Sequence, residues 1–248
     1  MAVQAWHQIS EDPNAPEVKA YRAAQLARAR SKQLIDDRIR YICGVVRGKD
    51  TLDIGVVEHF RDSSASEIWL HRHVRDAARS CLGMDILESE VESLRERGFD
   101  VICHDITTSP LDRDFDVIVV GDVIEHLNSP AALFENAAQM LRPPGRLVIS
   151  TPNPWYANAI LKNVFDGQPF TDSADHVAWF DAGTLCELAN RSGLLLDRYA
   201  GVRIGATITT TKSRLFAKAS PALIRAGVRP EVFAKTMIYE FVLGDPKA

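Results

Sequence analysis

The chain has 248 residues, 46% of them hydrophobic and 25% charged, which is the ordinary balance of a globular protein. Its formal net charge of −4 disfavours binding to long nucleic acids, whose phosphates attract basic surfaces. The first residues lack an apolar signal core, and no apolar run reaches the length that spans a membrane. The four cysteines are scattered and form no CxxC pair, which is typical of thiols in a reducing compartment. We therefore expect a cytoplasmic protein with neither a nucleic-acid nor a membrane partner.

The first 48 residues are predicted to form an arm and a helix, ahead of a larger domain over residues 49–248. Residues 1–16 are polar and contain two prolines, which favours an irregular arm. From Glu17 to Val46, apolar residues recur at spacings of three and four, which predicts one helix. The opposite face of this helix carries arginines and lysines and is typical of a solvated surface.

The larger domain is predicted to alternate strands and helices. Valine- and isoleucine-rich runs of this kind are typical of strands that are covered on both faces. The sequence therefore predicts an α/β fold with a doubly wound, mostly parallel sheet of seven strands. Residues 152–180 interrupt the alternation with prolines and aromatic side chains, and are predicted to be a lid inserted over the site. The predicted strands are "TLDIG", "CLGMDI", "DVICHDI", "FDVIVVG", "RLVIST", "LLLDRYAGV" and "TMIYEFVLG".

Carboxylates stand at the ends of three successive predicted strands, namely at Asp53, Asp85 and Asp105. Sheets of this type bind ligands beyond the carboxyl ends of their strands. A carboxylate at Asp85 can accept hydrogen bonds from both hydroxyls of a ribose. Acids at strand ends also cap the helices that follow. Three of them in order nevertheless favour a ligand site.

The segment from about residue 50 to 200 resembles the class I S-adenosylmethionine-dependent methyltransferases. It is similar to the branch that includes ubiquinone-biosynthesis O-methyltransferases and methyltransferases of sugar and natural-product pathways. The motifs that carry the resemblance are "LDIG", "GMDI", "CHDI", "FDVIVVGDVIEHL", "LRPPGRLVISTPN" and "DHVAWFDAGTLCELANRSGL".

This resemblance implies S-adenosylmethionine as the cofactor and assigns residues to its parts. Asp53 and Gly55 would line the methionine part, Asp85 the ribose, and Asp105 with Ile106 the adenine. The remaining residues expected at the cofactor are Glu58, His59, Ile86, Gly121 and Asp122.

The loop after the first strand departs from the family pattern. The family usually has glycine at the position of Val57, and often also at the position of His59. Because S-adenosylmethionine has no phosphate, bare backbone is needed less here than in a dinucleotide enzyme. Glu58 could meet the cofactor's ammonium, and His59 or Arg72 its carboxylate. We interpret the stretch as an altered cofactor loop. The alternative is a cofactor-binding or scaffold protein without catalysis.

The stretch "GDVIEHL" places acid and base side chains just past the fourth strand, beside the expected methyl group. If the methyl acceptor is a hydroxyl, its proton must be removed. His126 is the candidate general base, with Glu125 and with His176 from "DHVAWF"; a histidine satisfied by backbone groups is the other interpretation. The sequence therefore predicts O-methylation of a hydroxyl on a small molecule or glycan. N-methylation stays open, because an amine needs less help from a base.

The same residues also resemble a metal site. RNA 3′-end 2′-O-methyltransferases hold a divalent ion with an acid-x-x-Glu-His cluster and a distant histidine. The matching candidates are Asp122, Glu125, His126 and His176, with aspartate where glutamate is usual. Mg²⁺, Mn²⁺ or Zn²⁺ would suit such mixed ligands. A metal-dependent RNA methyltransferase is therefore a second functional hypothesis, although the acidic chain disfavours it. The oligomeric state is unknown from the sequence.

Overall fold

The computed structural model describes residues 3–57, 68–165, 173–203 and 220–244. None of the helices in these ranges is long and apolar enough to cross a membrane. Besides short 3₁₀ turns and a short helix at 220–225, the elements in chain order are α1 (Pro16–Ala29), α2 (Arg38–Val46), β1 (Asp50–Ile54), α3 (Leu70–Ala77), β2 (Ser80–Asp85), α4 (Glu88–Glu96), β3 (Val101–Cys103), β4 (Phe115–Gly121), α5 (Pro130–Met140), β5 (Leu141–Pro152), α6 (Ala157–Phe165), α7 (Ala182–Arg191), β6 (Leu194–Arg203) and β7 (Ala234–Leu243).

The strands form one seven-stranded sheet in the order β3-β2-β1-β4-β5-β7-β6. Strands β1 to β5 pair in parallel, whereas β7 runs antiparallel to both of its neighbours. The prediction of an α/β fold with a mostly parallel sheet is therefore confirmed. The strand order reverses direction between β1 and β4, and the crevice beyond the carboxyl ends of these two strands is where such sheets bind ligands.

Both faces of the central strands are buried, which explains why their sequences do not alternate. On one face, Ile118 and Val120 of β4 pack with Phe134 of α5. On the other, Val117 and Val119 pack with residues of α2 and α3. The helices therefore cover the sheet on both sides and leave the carboxyl ends of the strands as the place for a site.

The N-terminal segment differs from the single predicted helix. The chain leaves α1 at Arg30 and runs extended along β6, with parallel bridges from Arg30 to Tyr199 and from Ile35 to Val202. The amide of Ile35 donates to the carbonyl of Gly201 at 2.8 Å. A second helix then starts at α2. The hydrogen bonds offered by the edge of β6, together with burial of Ile35, outweigh the helical periodicity.

Helix α5 ends at Met140, and β5 begins directly after it. Pro143 and Pro144 lack the amide that an α-helix needs, so the helix does not continue through them. A Cβ at Gly145 would lie 2.6 Å from the carbonyl oxygen of Arg142, so this crowded point of the strand needs glycine.

The segment between β5 and α7, where the sequence predicts an inserted lid, contains α6, and residues 166–172 lie outside the described part of the chain. Helix α7 is capped by Asp181, whose carboxylate accepts from the amide of Thr184 at 2.9 Å. That the insertion acts as a lid stays a prediction.

Candidate active site

The first loop, Gly55–Val57, is held by backbone geometry and by the end of β2. Gly55 has a φ of +79°, and a Cβ there would lie 2.1 Å from Cγ2 of Val123, so only glycine fits. The amide of Val57 donates to Oδ2 of Asp85 at 2.8 Å. Val57 is thus held by a hydrogen bond from its backbone amide although this position lacks the usual glycine. Glu58 and His59, predicted at the cofactor, lie outside the described residues.

Asp53 does not present a free carboxylate at the crevice. It is 3% exposed, and its Oδ2 lies 2.9 Å from Nδ1 of His71 in α3. The imidazole of His71 is buried as well. The structure therefore places Asp53 under the first loop and pairs it with a residue that the sequence reasoning did not assign to the site.

The carboxylate of Asp85 stands at the end of β2, as predicted, and accepts several backbone hydrogen bonds. Besides Val57, the amides of Ile86 and Leu87 donate to its Oδ1 at 2.8 and 3.1 Å. It is 8% exposed. Ile86, next in the chain, is 66% exposed and offers an apolar surface beside this carboxylate.

After β3, Asp105 and Ile106 have different surroundings. Oδ1 of Asp105 accepts from the amide and the hydroxyl of Thr107 at 2.8 and 2.7 Å, so this acid stabilises a local turn. Ile106 is 3% exposed and its carbonyl accepts from Nδ2 of Asn136 at 2.6 Å. Ile106 thus packs in the core rather than in the crevice.

At the end of β4, Asp122 faces α2 instead of the predicted metal cluster. It has a positive φ of 55°, its carboxylate forms an ion pair with Arg38, and its Oδ1 accepts from the hydroxyl of Ser150 at 3.0 Å. The preceding Gly121 leaves room for Leu70, since a Cβ there would lie 2.8 Å from Cδ2 of Leu70. Of the four metal candidates, Asp122 is the one that the structure does not group with the others, because the turn at Asp122 directs its carboxylate to Arg38.

The other three members of the predicted cluster do come together. Glu125 and His126 lie in a 3₁₀ turn that follows β4, and His176 lies in the chain that returns from the insertion. One ligand atom from each of the three lies within 4.8 Å of the others. The rings of His126 and His176 make an edge contact at 4.8 Å between centroids, and Nδ1 of His126 lies 3.1 Å from Oδ2 of Asp175.

Glu125 is the most unusual group of this cluster. It is 2% exposed, and its Oε2 accepts from the hydroxyl of Thr151 at 2.9 Å. No donor in the described parts of the chain reaches its Oε1. Burial, together with the negative charge of Asp122, raises the pKa of Glu125 to about 7. A buried carboxyl that exchanges its proton near neutral pH is typical of functional sites.

The returning chain is fastened directly to this cluster. The amides of Val177 and Ala178 donate to the carbonyl of Glu125 at 2.9 and 3.3 Å. Trp179 continues the aromatic contacts, with its ring 6.2 Å from that of His176 between centroids. Backbone hydrogen bonds therefore connect the insertion to the turn that carries Glu125 and His126.

The aromatic side chains of the insertion divide into core and surface. Phe180 is 6% exposed and belongs to the core. Trp155 and Trp179, in contrast, are 57% and 38% exposed. Phe170 lies outside the described residues. The exposed rings leave an aromatic surface next to His176.

Sequence reasoning missed Arg38 and the tryptophan that precedes α3, Trp69. For His71 and His73 it predicted no more than that one of them packs near the cofactor. Arg38 belongs to the N-terminal segment, and only the tertiary fold brings it to Asp122. Arg72, considered for the cofactor's carboxylate, is an exposed residue of α3. The signal in the sequence for Trp69 and His71 was the stretch "EIWLHRH", which follows the altered loop and resembles an insertion.

Comparison with known proteins agrees with this architecture. A family model described as a methyltransferase domain matches residues 47–198. A probable S-adenosylmethionine-dependent methyltransferase of Mycolicibacterium smegmatis is 27% identical over 189 residues, which cover 75% of this chain and 66% of that protein. The ubiquinone biosynthesis O-methyltransferase of Aeromonas salmonicida is 26% identical over 168 residues, which cover 64% of this chain and 68% of that protein. The matches thus span about two thirds of the length of each of these relatives.

Among solved structures, the magnesium protoporphyrin IX methyltransferase of Synechocystis PCC 6803, with bound SAH, superposes with a TM-score of 0.54. The sequence identity is 14%, over 96% of this chain and 93% of that chain, so the likeness concerns the fold. The family model, in contrast, covers more than half of the chain, from before β1 into β6. The protein therefore belongs to the methyltransferase-domain family, as a class I S-adenosylmethionine-dependent member.

Proposed function

We propose that this enzyme transfers the methyl group of S-adenosylmethionine to a hydroxyl oxygen of a small molecule or glycan. The observation that carries the proposal is the cluster of Glu125, His126 and His176 beyond the end of β4. Methyl transfer to an amine needs little help from a base, whereas a hydroxyl must lose its proton. A site with two imidazoles and a carboxyl whose pKa is about 7 is suited to remove one.

In the proposed reaction, the acceptor oxygen attacks the methyl carbon in line with the sulfur. The C–O bond forms as the C–S bond breaks, and S-adenosylhomocysteine leaves with the electron pair on sulfur. His126 takes the hydroxyl proton. The carboxylate of Asp175, with its Oδ2 3.1 Å from Nδ1 of His126, lies beside this imidazole.

The amino-acid end of the cofactor is a zwitterion, and the pair of Arg38 and Asp122 offers both complementary charges. The side chains of this pair are 26% and 39% exposed, so both are open to a ligand. We assign Arg38 to the carboxylate and Asp122 to the ammonium. Asp85 is assigned to the ribose and Ile86 to the apolar surface of the nucleoside. The exposed Trp179 is assigned to the acceptor.

The donor set of the cluster also fits a divalent cation. Glu125 has a buried Oε1 that no described donor reaches, and two imidazoles stand beside it. Mn²⁺ and Zn²⁺ accept such mixed ligands. A bound cation would lower the pKa of a hydroxyl that coordinates to it. Glu125, His126 and His176 are the residues that would hold it. The fourth candidate, Asp122, is not included, because it pairs with Arg38.

The reaction class can be tested by measuring release of S-adenosylhomocysteine with a panel of acceptors. The panel contains phenols, catechols, glycosides, primary amines and a short RNA with a free 3′ end. We expect turnover with hydroxyl compounds, and His126→Ala to lower it by about 10²-fold while cofactor affinity is kept. His7→Ala, at an exposed histidine of the N-terminal segment, is the matched control. Turnover with amines alone would contradict O-methylation, and turnover with RNA would favour the RNA methyltransferase.

The cation can be tested separately by calorimetric titration with Mn²⁺ after treatment with a chelator. We expect binding to the wild type that His176→Ala abolishes and His7→Ala leaves unchanged. Wild-type protein that binds no Mn²⁺, or binds it equally without His176, would contradict a metal site here without affecting the base assignment.

The four cysteines of the protein are free thiols, which suits the cytoplasm. We propose that the reaction takes place there.

A further inference from the structure

Two buried side chains from the start of α3 hold the first loop from below. Nε1 of Trp69 donates to the carbonyl of Val56 at 2.8 Å. Two residues later, Nδ1 of His71 lies 2.9 Å from Oδ2 of Asp53. Trp69 and His71 are 1% and 2% exposed, so both contacts lie in the protein interior.

The positions of these two rings are fixed by packing. The ring of Trp69 lies 5.3 Å from that of His71 and 5.0 Å from that of Phe99, between centroids. Gly83 of β2 leaves the space for the imidazole, since a Cβ there would lie 2.9 Å from Cε1 of His71. Because a buried carboxylate such as Asp53 needs a hydrogen-bond donor, His71 also removes a large cost of burying it.

The order of the strands tells which part of the cofactor this loop meets. β1 lies between β2, which ends at Asp85, and β4, which leads to Glu125 and His126. The nucleoside is assigned to Asp85, and the methyl group must lie beside the acid and base side chains. What lies over the end of β1 is therefore the sulfur and the amino-acid end of the cofactor.

We propose that His71 and Trp69 are positioning residues for the amino-acid end of S-adenosylmethionine. They fix the backbone of residues 53–57 through the carboxylate of Asp53 and the carbonyl of Val56. A loop in which Val57 replaces a glycine is thereby held by side-chain hydrogen bonds from α3. Neither residue touches the transferred methyl group.

The test compares two ligands that differ only at the relevant end. S-adenosylhomocysteine carries the amino-acid end, whereas 5′-methylthioadenosine has the same thionucleoside without it. Binding of both is measured by calorimetry for the wild type, His71→Leu, His71→Asn and Trp69→Phe. Asparagine keeps an N–H that can donate to Asp53, and phenylalanine keeps a ring at position 69 without the N–H. Phe99→Leu is the matched control, because it alters the same aromatic cluster without removing a hydrogen bond to the loop.

We expect His71→Leu to weaken S-adenosylhomocysteine about tenfold or more, the usual effect of losing a hydrogen bond to a charged group, and to weaken 5′-methylthioadenosine about threefold at most. His71→Asn should recover most of the lost affinity, and Trp69→Phe should show the same selectivity to a smaller extent. Phe99→Leu should leave the ratio of the two affinities unchanged.

Equal weakening of both ligands would show that His71 only supports the core, and would overturn the proposal. Asparagine that rescues no better than leucine would overturn it too. If circular dichroism shows that His71→Leu does not fold, Trp69→Phe decides: loss selective for S-adenosylhomocysteine supports the proposal, and an unchanged affinity ratio overturns it.

Discussion

The protonation of Glu125 affects both the proposed chemistry of the active site and the stability of the folded protein. Its carboxyl ionises near pH 4.5 in an unfolded chain, but burial and the charge of Asp122 hold its proton up to about pH 7 in the folded protein. The folded state therefore binds more protons between these values. The stability that this proton contributes is complete below pH 4.5 and is lost as the pH rises through 7.

We expect Glu125→Gln to gain stability relative to the wild type as the pH rises from 5 to 8, by about 1–3 kcal/mol, since one pKa unit corresponds to about 1.4 kcal/mol. The measurement is the free energy of unfolding in urea at several pH values. A difference between the two proteins that does not change with pH would show that Glu125 has an ordinary pKa.

Asp85 allows a second test at the scale of a residue. Replacement by alanine removes the carboxylate assigned to the ribose and frees three amides of the first loop and of the turn after β2. We expect Asp85→Ala to weaken S-adenosylhomocysteine by about 1–3 kcal/mol, the range for a buried hydrogen-bonding group. Asp112→Ala, at an exposed acid with no assigned role, serves as comparison in the same titration. Unchanged affinity of Asp85→Ala would refute the ribose assignment.

Some of these site residues could be predicted from sequence and others could not. Glu125 and His126 stand in one short motif after a recognisable strand, so their proximity follows from the chain itself. Arg38 reaches Asp122 from 84 residues away, and no local pattern reports such a contact. The correct expectation that His176 joins the cluster came from the family resemblance.

At the scale of an element, the ends of the helices follow local chemistry. Asp181 caps α7 in a reciprocal arrangement in which the hydroxyl of Thr184 accepts from the amide of Asp181 at 3.0 Å. We expect Asp181→Ala to lower the free energy of unfolding by about 1 kcal/mol, the usual value of an N-cap, and Asp181→Asn to cost much less. Thermal or urea denaturation measures both. Equal losses for alanine and asparagine would point instead to the contact of Asp181 with Trp155.

The strands were predictable because their valine and isoleucine runs report burial on both faces. The break between α1 and α2 could not be predicted in this way. The spacing of apolar residues shows that one face of a segment is buried, but not which element that face packs against. In the structure, Ile35 is buried and exchanges backbone hydrogen bonds with Gly201 and Arg203 of β6, which a continuous helix would not provide.

At the scale of the whole molecule, carboxyl groups at the two ends of the strands contribute to stability with opposite pH dependence. Glu125 lies beyond the carboxyl end of β4, and Asp116 lies beside the start of β1. Beside the start of β1, Asp116 accepts from the amide of Asp50 at 3.0 Å and from Arg142 at 2.6 Å. These two donors hold the pKa of Asp116 below its usual range. A depressed carboxyl pKa contributes stability above its value in the unfolded chain, and this stability is lost as the pH falls through the folded value.

We therefore expect Asp116→Asn to unfold at a lower urea concentration than the wild type at pH 7, and the difference to shrink in strong acid. Asp114→Asn, an exposed neighbour, is the matched control. A difference that persists unchanged in acid would mean that the charge of Asp116 is not what stabilises the start of β1.

The extended chain between α1 and α2 has a consequence for the behaviour of the protein in solution. Among the strands that the structure describes, β6 is the outermost at its end of the sheet. An open strand of this kind offers its amides and carbonyls to any other molecule with a free strand. Residues 30–35 occupy that row of hydrogen bonds from within the same chain. The N-terminal segment thus protects the sheet against edge-to-edge aggregation, and its loss would make the enzyme prone to self-association even where the catalytic groups remain intact.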